Sequence, residues 1–82
     1  MNNADPYSVS QAAMTVLDRL QNFPPAEQIM GAAAMFLILA EHRGIPAQDV
    51  FTATKNLING VDGIRPEFRA VAEYCKHELP NA

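Results

Sequence analysis

The 82-residue chain reads as an all-α, compact four-helix domain with a central apolar second helix. Three observations carry that reading. Prolines at 6, 25, 46 and 66 each open a periodic apolar stretch, stop signals separate the stretches, and the apolar residues recur at helical spacing. Proline suits the start of a helix because its missing N–H would have no intrahelical partner there. Acidic or amide side chains follow within a turn at Glu27, Gln48, Asp49 and Glu67, where the helix dipole favours them. Stops fall at 22–24, Gly44, 60–63 and Pro80. The punctuation predicts helices at about 6–22, 25–43, 46–59 and 66–79, within a single domain over 1–82.

In the first helix Val9, Ala12, Ala13, Val16, Leu17, Leu20 and Phe23 share one side. Ser8, Gln11, Thr15, Asp18 and Asn22 take the other, and Met14 falls outside the apolar arc. The third helix carries Val50, Ala53, Leu57, Ile58 and Val61 as a stripe, with Phe51 at its edge. The fourth aligns Phe68, Val71, Ala72, Cys75 and Leu79 opposite Arg69, Glu73 and His77.

The second helix differs, because residues 29–40 are apolar on every side, the pattern of a mostly buried element. Its heaviest side carries Ile29, Ala33, Phe36, Leu37 and Ala40. The opposite side is polar at its ends, with Glu27 and Gln28 before and Glu41 and His42 after, and apolar between them at Gly31, Ala34, Met35 and Ile38. A side that is wet at both ends and apolar between reads as a covered patch. The cover is either the chain's own helices or another molecule. Small residues at 31 and 34 admit a close backbone, and Met35 adapts to irregular contacts.

Composition limits the function classes. Net charge is −3, with nine acidic residues against six scattered basic ones, which disfavours binding to phosphate backbones. The apolar run over 29–40 is too short for the ~20 residues that span a bilayer. The polar opening lacks a secretory pattern, so a cytoplasmic location is expected. A single cysteine, Cys75, excludes an intramolecular disulfide; its place in an apolar stripe predicts a small buried core residue. Cys75 and His77 diverge on a helix, whereas Glu73 and His77 share a side as a solvated pair. His42 suits a helix C-terminus. The four glycines match no phosphate-loop spacing, so no catalytic, cofactor or metal site is expected.

Two functional expectations remain. The first is a non-enzymatic, self-associating protein-interaction module, a homodimer or a binder of another protein. Its contact face is Gly31, Ala34, Met35 and Ile38, with Met14 and Phe51 as additional contacts. The alternative is a helix-turn-helix DNA-binding regulator, since Ala40, Gly44, Ile45 and Val50 follow that order of small, glycine and aliphatic residues. Its reading helix would offer Gln48, Asp49, Thr52, Lys55 and Asn56, with one cation offset by one acid.

Residues 44–50, Gly-Ile-Pro-Ala-Gln-Asp-Val, through 68–79, Phe-Arg-Ala-Val-Ala-Glu-Tyr-Cys-Lys-His-Glu-Leu, resemble small helical accessory proteins of tailed bacteriophages. The resemblance is one of general character over about half the chain. It implies a protein-binding role, against a host protein and in the host cytoplasm, and assigns no site residue.

Overall fold

The computed structural model describes residues 4–79, and among them the proline punctuation becomes four helices. They are α1 (Pro6–Leu20), α2 (Pro25–His42), α3 (Ala47–Ile58) and α4 (Pro66–Glu78). Pro6, Pro25 and Pro66 lie in the first turns of their helices, whereas Pro46 stands one residue outside α3 as its cap. Asp5 caps α1, accepting from the Ser8 N–H at 3.2 Å and the Ser8 hydroxyl at 3.0 Å. Gly44 ends α2 with φ +69°. Its N–H donates to the Glu41 carbonyl and that of Ile45 to the Ala40 carbonyl, which closes a Schellman turn.

Residues 59–64, where the sequence placed the end of the third helix and a stop at 60–63, form a minimal hairpin. Strand β1 (Asn59–Gly60) pairs antiparallel with β2 (Gly63–Ile64) in the register Asn59↔Ile64 and Gly60↔Gly63. Gly63 takes φ +108°, which a side chain would oppose. Arg65 locks the hairpin to α3: its N–H donates to the Ile58 carbonyl at 2.8 Å and its Nε to the Leu57 carbonyl at 2.6 Å. Val61, assigned from sequence to the α3 stripe, therefore sits fully exposed at the turn. Asn59 has already left helical geometry, so the helical phase that placed Val61 beside Leu57 no longer applies.

α1 packs chiefly on α4, and α2 on α3. α1 and α4 run in the same direction. Val9 and Arg65 border one cavity near their starts, and the Tyr74 hydroxyl donates to the Asp18 carboxylate at 2.6 Å further along. The Gln21 amide donates to both Tyr74 Oη, at 3.1 Å, and Asp18, at 2.9 Å. The core is thin. Leu17, Ala40 and Phe68 are its buried apolar residues, beside Ser10, whose hydroxyl donates to the Tyr7 carbonyl at 2.7 Å.

The four-helix architecture is as expected, and α2 is apolar around its circumference, but the expectation that α2 is mostly buried is not met. Ile29 and Leu37, on its heaviest side, are each more than half exposed. The reason is one of partners: α1 and α4 spend their apolar stripes on each other, which leaves α3 as the main neighbour of an 18-residue helix.

The Tyr74–Asp18 contact makes stability depend on alkaline pH. The Asp18 carboxylate accepting from the hydroxyl raises the Tyr74 pKa above its ordinary value, helped by partial burial and by the negative charges of Asp18 and Glu78. A folded-state pKa above the unfolded one means that the stabilisation is intact below pH ~10 and is lost as the pH rises through the folded value. The melting temperature should fall on the alkaline side of that point. Tyr74→Phe should flatten that fall; an identical alkaline limb in the variant would contradict the coupling.

Candidate functional site

α2 is anchored along one stripe of residues four apart. At its start Gln28, half-buried, donates its amide to the Leu20 carbonyl at 2.9 Å and the Gln21 carbonyl at 3.4 Å, satisfying the open end of α1. Ala32 and Phe36 follow, facing the body of the protein, and Ala40 is buried where the Schellman turn folds Ile45 back. The sequence had placed Gln28 on the opposite, wet side, and its bonding to α1 corrects that.

The remaining circumference of α2 faces outward. Ile29, Met30, Met35, Leu37, Ile38 and Leu39 are each more than half exposed. Gly31, Ala34, Met35 and Ile38, the face singled out from sequence, are all exposed and lie on one stripe turned about 150° from Phe36. The Leu20 Cδ2 methyl lies 3.9 Å from where a Gly31 side chain would begin, so Leu20 walls one side of a notch at Gly31.

The two additional residues are not on that face. Met14 is half-buried on α1, and Phe51 borders a cleft on the other side of α2. This cleft, of about 610 Å³, opens between the four helices, with Val16, Leu20, Phe36, Phe51, Val71 and Cys75 on its walls. Its single cation is Lys55, whose Nζ sits 5.5 Å from the Phe51 ring centroid, so that the charge stays beside the aromatic face. Cys75, expected to be buried, is half-buried on the cleft wall because the opposing walls do not close over it.

Sequence reasoning read each wall correctly as an apolar stripe but missed the space between them. A signal was present: Ala13 and Ala32 are small residues on facing walls, and side chains of that size do not fill a gap between helices.

The polar groups on α4 do not form a reactive cluster. Glu73 lies 3.9 Å from both Lys76 and His77, and all three side chains are more than half exposed, so these pairs contribute little. Among the described residues no three His, Cys, Asp or Glu side chains gather as metal ligands, and no helix is long and apolar enough to cross a membrane.

The total surface is larger than the mass of the chain predicts. The chain exposes 6399 Å², against about 4,900 Å² for a monomer of this mass, an excess on the order of 1,500 Å².

Comparison with protein-family models, with curated proteins and with solved structures gives no match for this chain.

The cleft should take up apolar probes. An anilinonaphthalene sulfonate dye is expected to fluoresce with the native protein, and Ala32→Glu, on an exposed part of the cleft wall, should reduce the dye bound while far-ultraviolet circular dichroism is kept. Dye binding unaffected by the glutamate would show that the cleft is not the site of uptake.

Proposed function

We propose that this chain is a non-enzymatic protein-interaction module that self-associates through the outward face of α2 and thereby presents a surface to another protein. The observation that supports the reading is the exposure of Met35, 58%, and Ile38, 61%, in the middle of an apolar helix. Fully covering a side chain of this kind gains about 1.5–3 kcal/mol, so a helix that leaves several in water is strongly favoured to acquire a cover. The contact residues are Gly31, Ala34, Met35 and Ile38. Phe51 acts separately, on the wall of the cleft, where apolar side chains of a partner would lodge.

A binding role also fits the charge pattern. The outward face has no cation in its middle, and net charge is −3, so the partner it suits is apolar at its centre rather than polyanionic. Duplex-DNA affinity that falls steeply with salt and is lost on Lys55→Ala would overturn the reading in favour of a nucleic-acid regulator.

Sedimentation tests self-association directly. The parent should sediment above protomer mass at micromolar concentration, and Ile38→Glu should return it to protomer mass with helicity preserved. A parent that sediments as a protomer, together with an Ile38→Glu variant that unfolds, would make the patch ordinary core and contradict the proposal.

A further inference from the structure

The cleft between the four helices is graded from floor to edge. Leu17 is buried at its floor, Leu20, Phe36, Val71 and Cys75 are half-buried, and Phe51, Thr54 and Lys55 stand exposed. Apart from the Cys75 thiol, polar side-chain groups enter the cleft only at that exposed edge, from two consecutive residues of α3. None of the nine acidic residues of the chain lines it, and Lys55 is its single charge. Among the described residues the ion pairs are those of Glu73 with Lys76 and His77, so the Lys55 ammonium has no carboxylate partner. Attraction to the Phe51 ring, whose centroid is 5.5 Å away, keeps the ammonium at the edge of the cleft.

We infer that the cleft binds a single-chain alkyl carboxylate, a free fatty acid, with its tail against Leu17 and Phe36 and its carboxylate paired with Lys55. The Thr54 hydroxyl is a further donor to that carboxylate on the same edge.

Size and charge select this occupant. The volume of about 610 Å³ lies within the roughly 300–1,000 Å³ of small-ligand sites, and every wall comes from one chain. An apolar tail ending in one anion matches an apolar cleft ending in one cation. A polyanion would leave most of its charges without a partner, and a cationic amphiphile would set like charges together at Lys55. The inference concerns the cleft and does not depend on self-association through α2. Apolar side chains of a partner would use the same walls, so a bound carboxylate and such side chains exclude one another.

Calorimetric titration of the full chain with octanoate, decanoate and dodecanoate, each below its micellar concentration, tests the inference. Binding should be saturable and should tighten about fourfold per added methylene while the tail remains within the cleft. Cys75 reports the location, since dodecanoate should slow its alkylation by N-ethylmaleimide. Lys55→Met keeps an unbranched side chain and removes the charge. It should weaken decanoate about two- to fivefold and leave decanol unchanged, and Lys55→Arg should restore the decanoate affinity. Dodecyltrimethylammonium should bind Lys55→Met better than the parent. The inference is overturned by the absence of saturable carboxylate binding, by binding that leaves Cys75 alkylation unchanged, or by decanoate affinity that is the same in the parent and Lys55→Met. Sedimentation reads self-association separately, so failure here leaves that proposal standing.

Discussion

The structure depends on a mismatch between one helix and its neighbours. α2 is apolar around most of its circumference, yet the rest of the chain meets it chiefly at Gln28, Gly31, Ala32, Phe36 and Ala40. An apolar helix stays out of water only where other elements surround it. Here α1 and α4 satisfy one another, and α3 alone gives α2 substantial cover. The exposed face and the cleft are two consequences of the same shortage. On the outer side nothing covers Met35 and Ile38, and on the inner side the walls are too far apart to close.

Polar contacts hold α2 in place without hiding it. Gln28 satisfies carbonyls at the end of α1, and the Schellman turn at Gly44 fixes the exit toward α3. Both act at the ends of the helix and leave Met35 and Ile38 between them exposed. At the same end of α1, Tyr74, Asp18 and Gln21 join α1 to α4 through hydrogen bonds. A thin apolar core is thus supplemented by directional contacts that set the relative positions of the helices.

The helices were legible because their signals are local. Proline, glycine and capping residues act within a turn of where they stand, and the helix boundaries fall within two residues of those the punctuation predicts. That Gly31, Ala34, Met35 and Ile38 share one side of α2 was legible as well, since a helical angle follows from residue spacing alone. Burial was not, because an angle does not say which neighbour lies along it. Gln28 shows the limit: its polarity suggested solvent, whereas the open carbonyls of α1 gave it a buried use. Cys75 shows the reverse, an apolar position whose opposing wall stops short. The hairpin escaped notice because a two-residue ladder around Gly60 and Gly63 carries no alternating pattern to read.

The methionines of the chain allow the mismatch on α2 to be tested at a single atom. With methyl-labelled methionine, the relaxation caused by a soluble paramagnetic agent measures how far each methyl group is open to water. As protein concentration is raised, the Met35 methyl should become shielded while that of Met14, half-buried on α1, stays unchanged. A Met35 methyl that remains equally accessible at every concentration would contradict a second copy covering α2.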